Sequence, residues 1–248
     1  MKRFTTAAAL LFCLANPLAA TDLGAMTEAE RQAFRDEVRA YLLDNPEVLM
    51  EAIAVLEQRQ STAEGENDAS LVHVNANELF NDGYSYVGGN LDGDVVMVEF
   101  LDYNCGFCKR AHPEVAELIK TDGNIRYIIK EFPILGEQSV LASRFAISVL
   151  HNTDKATYAR VHDELMTLRG EFNDASLRRL AKSLDLDVDS IMGGMGDPEI
   201  DAVISRNRAL AQRMQINGTP SFIMGDQMLR GYVPLAGMVQ IVAELRGE

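Results

Sequence analysis

Cys105 and Cys108 stand three residues apart at the end of a β-branched run, Val95-Val96-Met97-Val98-Glu99-Phe100-Leu101, with Asp102-Tyr103-Asn104 between run and thiols. An apolar run of this kind predicts a buried strand, and the residues after it predict a helix. The spacing Cys105-Gly106-Phe107-Cys108 therefore puts one thiol at a helix start, where unpaired backbone N–H groups and the positive end of the helix dipole favour a thiolate. Cys105 is the candidate nucleophile. Cys108 lies one turn further on the same side, placed to close a disulfide or resolve a mixed one.

Other uses of the spacing fit less well. A zinc site wants four ligands, and here there is no second cysteine pair; a set completed from His73, His112, His151 or His162 would have to gather residues scattered along the chain. Lys109 stands where haem attachment needs histidine. A static staple is weaker still, because so short a loop restrains the unfolded chain little. Thiol-disulfide exchange is the expected chemistry, with no cofactor and no bound metal.

The elements that must hold this pair follow from patterning. Strands are expected at 85–87, Val95–Leu101 and Ile125–Lys130, with Gly88 to Asp94 as a turn and the thiol-bearing helix running to about Lys120. The last two strands and the helix between them form a β-α-β unit, so those strands should be parallel. A helical stretch follows from about 138 to 214, interrupted at Met192-Gly193-Gly194-Met195-Gly196 and restarted by Asp197-Pro198. Its methionines read as core filler rather than copper ligands. The chain returns to strand in a hairpin turning at Gly225-Asp226, then closes with a helix from Pro234 to about Arg246. Sheet, helical insert and sheet again predict an α/β domain over 71–248, a thioredoxin fold with an inserted helical domain.

Ahead of this domain, residues 1–20 carry Lys2 and Arg3, an apolar core and Pro17-Leu18-Ala19-Ala20, the pattern of a secretory signal peptide. With Cys13 removed, two of the three cysteines remain, both in the pair. Export would place them in an oxidising compartment where disulfides form and mispair. Residues 21–70 predict a helical arm and linker. Thr27 opens a capping box with Phe34, Val38, Tyr41 and Leu42 at helical spacing; Asn45-Pro46 opens a second helix to about Arg59; the polar Ser61 to Ser70 reads as the linker. Such an arm must bury its apolar stripe on its own domain or on copies of itself. The formal charge of −14, two units more negative once Lys2 and Arg3 leave, repels nucleic acid and anionic lipid, so neither is an expected partner.

Four groups of residues carry a resemblance: Glu99, Cys105-Gly106-Phe107-Cys108, Lys130-Glu131-Phe132-Pro133-Ile134-Leu135-Gly136, and Gly218-Thr219-Pro220-Ser221-Phe222. From Leu71 onward the sequence resembles the DsbA-related thiol-disulfide oxidoreductases of the bacterial periplasm. With the helical arm it looks most like the suppressor-of-copper-sensitivity protein C (ScsC) branch. The resemblance implies that Cys105 attacks, Cys108 resolves and Glu99 relays the second thiol's proton, a role suited to a carboxylate desolvated in a strand core. It also implies a cis-proline at Thr219-Pro220, which with Gly106 and Phe107 would bind substrate, the Thr219 backbone pairing with an extended peptide.

The strongly oxidising members carry Pro-His between their cysteines; Gly106-Phe107 lacks that histidine, which favours shuffling or reducing disulfides over inserting them. The expected protein is an exported disulfide isomerase or reductase of the periplasm, a homo-oligomer such as a trimer. It would act on secreted proteins with disulfides and be kept reduced by a membrane-bound thiol reductase. One rival is a monomeric dithiol oxidase recharged by a membrane oxidase. Another is a copper-binding protein or holdase whose two thiols take Cu(I).

Overall fold

The computed structural model describes residues 26–247, so the expected signal peptide and Cys13 lie outside the described residues. The chain forms two units that divide between Arg59 and Gln60. In the first, α1 (Glu28–Asp44) begins at the expected capping box, with Thr27 and Glu30 bonded reciprocally, and it buries no residue. α2 (Glu47–Val74) follows. The stretch expected as a linker, 61–70, is helical throughout. Its alanines and glutamates are good helix formers, and Gly65 weakens it most, by about 1 kcal/mol. Asp68 accepts a forked pair of bonds from Arg230 at 2.7 and 2.8 Å, and Val72 is buried, so tertiary contacts fix the end of the helix.

The second unit is built on a five-stranded sheet ordered β1-β3-β2-β4-β5: β1 (Tyr86–Gly89), β2 (Val95–Leu101), β3 (Ile125–Glu131), β4 (Ser221–Met224) and β5 (Gln227–Arg230). β2 and β3 are parallel, as the β-α-β reading requires, and the other pairs are antiparallel. Gly88 and Gly89, expected in a turn, complete β1. At Gly89, with φ of +65°, a Cβ would lie 2.3 Å from the Ile125 carbonyl oxygen, so only glycine lets the two chains approach. A short α3 (Ala76–Phe80), which periodicity did not reveal, precedes β1.

Between β2 and β3 runs α4 (Gly106–Asp122), passing through Pro113 and ending at Gly123 in the left-handed conformation. The helical insert consists of α5 (Glu137–Asn152), α6 (Lys155–Thr167), α7 (Asp174–Ser183), α8 (Val188–Gly194) and α9 (Pro198–Arg213). α10 (Leu235–Arg246) closes the domain, its Leu235 N–H accepted by the Glu114 carboxylate of α4 at 2.5 Å.

Strand alternation divides the interior. Val95, Met97 and Leu101 of β2, Ile125, Tyr127 and Ile129 of β3, and Phe222 and Met224 of β4 join α4 and most of the insert in one apolar cluster. Val98, Phe100, Ile128 and Ile223 face a second cluster with Val72, Leu79, Leu210 and Met214. The same alternation puts Glu99 on the α4 side and Lys130 on the other.

Lys130 is fully buried, an expensive place for an ammonium. It donates to the Asp82 carboxylate and to the Glu78 carbonyl oxygen, 2.6 Å away. Burial pulls the Lys130 pKa down, and the ammonium in turn holds Asp82 below the usual carboxylate range despite its desolvation. Asp82→Ala would leave that charge buried and unpaired. The expected loss is about 3–5 kcal/mol in urea denaturation, with part recovered when Lys130→Met is added.

Candidate active site

Cys105 is the N-cap of α4, held by its own N–H, which donates to the Asp102 carbonyl at 3.0 Å. In the protonated form its Sγ donates to the Thr219 carbonyl oxygen, 3.1 Å away. Cys108, one turn later, is fully buried, and both are free thiols. The two sulfurs differ sharply in acidity. Cys105 is pulled down to about 5, chiefly by the hydrogen bond from the Cys108 side chain, with the Thr219 side chain and the Cys108 and Phe107 amides adding to it against desolvation. Cys108 is pushed far above the usual thiol range by donating that same bond, by burial, and by the negative charge of Glu99. This acidity arises without a histidine between the cysteines and corrects the expectation that Gly106-Phe107 leaves Cys105 less acidic, because Cys108 and the helix amides supply the stabilisation instead.

Glu99 is 2% exposed on β2, which lies between β3 and β4, so the carboxylate is neither solvent-facing nor on an edge strand. Burial raises its carboxyl to about 7, against a hydrogen bond from the Tyr127 hydroxyl and the charge of His112. Such a group exchanges protons near neutrality. The Thr219-Pro220 bond is cis. Beside it a groove of about 530 Å³ is lined by Asn217, Gly218 and Thr219 together with Glu64, Asp68 and Arg230. Gly106 and Phe107 face outward: Phe107 is 60% exposed, and a Cβ on Gly106 would meet nothing within 4 Å. All seven residues expected at the site thus have defined places. Cys105 and Thr219 are in contact, Cys108 and Glu99 are linked by charge, and Gly106 and Phe107 lie exposed between the two cysteines.

Sequence reasoning missed the frame around them. Asp102, fully buried, accepts from the Asn104 N–H at 2.8 Å through one carboxylate oxygen and from the Ile134 and Leu135 N–H groups at 2.8 and 3.0 Å through the other. It ties the thiol loop to the segment after β3. Tyr103 sends its hydroxyl to Glu131 at 2.8 Å, and Tyr158 and Ser143 donate to the same carboxylate at 2.7 Å each. Burial raises Glu131 to about 7 as well. Acid residues within apolar runs, Asp102 at the end of β2 and Glu131 at the end of β3, were the available signal. Glu131 draws Ser143 and Tyr158 from α5 and α6, and Asp102 draws the Ile134 and Leu135 amides from the segment after β3, partners that could not be read from spacing.

The cause of the Cys105 shift fixes its pH behaviour. A lowered thiol pKa means that the thiolate's stabilising effect on the reduced fold is present above the unfolded value of ~8.5 and lost as pH falls through about 5. Iodoacetamide should therefore alkylate the reduced protein at Cys105 with a rate that is half-maximal near pH 5 and flat across neutrality. A midpoint near that of an ordinary thiol would overturn the assignment.

Comparison with known proteins agrees with the geometry. A family model described as the DSBA-like thioredoxin domain matches residues 96–243, and one described as the copper resistance protein ScsC N-terminal domain matches 30–63. A thioredoxin-like oxidoreductase from Silicibacter pomeroyi is 38% identical, with a TM-score of 0.65, covering 69% of this chain and 98% of its own. Proteus mirabilis ScsC, solved in a transitional conformation, is 29% identical with a TM-score of 0.66 and covers 90% of this chain and 98% of its own. Among curated relatives, a Na(+)/H(+) antiporter NhaA chain from Salinispora tropica is 27% identical over 146 residues, 59% of this chain, which spans about a fifth (22%) of that relative's length. A domain match over more than half the chain, laid on a five-stranded sheet with a cysteine pair at the first turn of α4, places this protein in the DsbA-like thioredoxin-domain family of thiol-disulfide oxidoreductases.

Proposed function

We propose that this chain is an exported protein disulfide isomerase and reductase of the periplasm, assembled through its helical arm. The observation that carries this reading is the arm's uncovered apolar face. Phe34, Val38, Tyr41, Leu43, Leu49, Met50, Ile53, Val55 and Leu56 are each at least 40% exposed. A face of that size favours burial against copies of itself. Several thiol sites grouped by such an assembly would suit a misfolded substrate that must be held while its disulfides are exchanged.

The proposed cycle uses the two thiols in unequal roles. The Cys105 thiolate attacks one sulfur of a substrate disulfide, forming a mixed disulfide and expelling the other substrate sulfur as a thiolate. For isomerisation, a substrate thiolate then attacks the mixed disulfide, restoring Cys105 with no net change of redox state. If the complex stalls, Cys108 gives its proton toward Glu99 and attacks Cys105 Sγ, releasing the substrate reduced by two electrons and leaving a Cys105–Cys108 disulfide. A dithiol donor, the expected membrane-bound reductase, must then return two electrons. The acidity of Cys105 keeps it as the attacking thiolate across neutral pH. Thr219, with Pro220 withholding a competing N–H, is proposed to pair with the substrate backbone beside the attacking sulfur.

The reading is tested on full-length protein with a scrambled-disulfide substrate. The wild type should sediment as an oligomer and restore native pairings catalytically. Ile53→Glu with Leu56→Glu should yield monomers that still reduce disulfides but no longer isomerise them; a wild type that is monomeric, or monomers that isomerise equally well, would contradict the proposed assembly. A separate expectation concerns the relay. Glu99→Gln should slow release of a Cys105 mixed disulfide by about 100-fold, the lower end for a lost general base, while leaving the Cys105 alkylation profile nearly unmoved.

A further inference from the structure

Behind the thiol helix lies a second group of side chains that the exchange chemistry does not use. His112 on α4 and His162 and Asp163 on α6 are half-buried, buried and exposed, and each offers a ligand atom within 4.8 Å of the others'. His112 Nε2 is 3.3 Å from Asp163 Oδ1, and the two imidazoles meet edge to face with centroids 5.0 Å apart. Fifty residues separate them in the chain, and the packing of α6 on α4 brings them together. They line a pocket of about 240 Å³ with Tyr86 and Tyr127.

The surrounding bonds fix how His162 can act. The Tyr103 and Tyr158 hydroxyls both donate to Glu131 Oε1, so the Tyr103 oxygen is left to accept. His162 Nδ1 lies 3.2 Å from that oxygen and must carry the hydrogen. The neutral ring then presents an unprotonated Nε2, which has no hydrogen-bond partner among the described residues. A histidine whose far nitrogen is anchored by a polar partner, with its near nitrogen bare beside a second histidine and a carboxylate, is the arrangement that metal sites use to orient a ligand.

We propose that His112, His162 and Asp163 form a binding site for a divalent first-row transition ion of the zinc type, with Tyr103 as the residue that orients His162. Two imidazoles and one carboxylate suit such an ion, and three protein ligands leave one position for water. Ligands at 2.0–2.1 Å in tetrahedral geometry stand about 3.3 Å apart. The His112–Asp163 pair already meets this, and the remaining closure falls to the exposed Asp163 and half-buried His112 side chains. The site adjoins the reactive centre: His112 follows Cys108 by one helical turn.

The test uses full-length protein carrying the Cys105–Cys108 disulfide, so that thiols cannot bind the ion. Titration calorimetry with Zn²⁺ should give one equivalent per chain, and Co²⁺ should show the absorption of a four-coordinate ion without thiolate charge transfer. His112→Gln should abolish stoichiometric binding, Asp163→Asn should weaken it at least several-fold, and Tyr103→Phe should cost about 10–100-fold, the usual effect of losing an orienting partner. His73→Gln and His151→Gln, on exposed residues elsewhere, should change nothing. Failure of the wild type to bind one equivalent, or binding unchanged in His112→Gln, overturns the proposal. If His112→Gln does not fold by circular dichroism, the surface variant Asp163→Asn decides: unchanged affinity overturns the site, and a loss supports it.

Discussion

The coupling between the two thiols, which sets their acidities apart, is the interaction on which this site depends. Two chemically identical thiols must behave oppositely, one ionised and reactive, the other protonated and withheld. Hydrogen bonding from Cys108 to Cys105 is the largest cause on both sides, since it favours the thiolate that accepts and the thiol that donates, with the helix amides and Thr219 adding to the first and burial and Glu99 to the second. It requires one sulfur at the helix mouth and the other inside the first turn. The break between β2 and α4 supplies that placement: the extended backbone at Cys105 points its side chain toward Thr219, and the helical backbone carries Cys108 inward.

Sheet alternation then decides which polar groups the sulfurs meet. Glu99 and Glu131 lie on the same face of neighbouring parallel strands, and Lys130, one residue away, faces the opposite layer with Asp82. A one-residue slip of β3 would replace the Glu131 carboxylate with the Lys130 ammonium, and a slip of β2 would replace Glu99 with Val98 or Phe100. The two carboxylates share a burial cost but not a role. Glu99 lies in the electrostatic field of Cys108, whereas Glu131 holds Tyr103, Tyr158 and Ser143 and so fixes the residues leading into Cys105.

Much of this was legible in the chain itself. The run Val95–Leu101, the cysteine spacing, the hairpin at Gly225-Asp226 and the capping box at Thr27 are local signals, and each marks an element that is present. The signals failed where distant partners decide. Residues 61–70 have a linker's polarity, yet they continue α2 because Asp68 is pinned by Arg230, which lies far along the chain. Asp102 carries no motif; its function is visible only once the Ile134 and Leu135 amides are seen to converge on it. His112 and His162 looked scattered for the same reason, since helix packing and not spacing makes them neighbours.

The outward aim of Gly106 and Phe107 has a consequence for how such proteins diversify. Neither residue is wedged into the interior, and the position of the missing Cβ on Gly106 opens onto free space. The pair between the cysteines can therefore be exchanged without repacking anything beneath it, while the strand, the buried acid and the proline loop stay fixed. Electron affinity becomes an interchangeable part, tuned by two residues that the protein interior does not hold in place, Gly106 and the largely exposed Phe107.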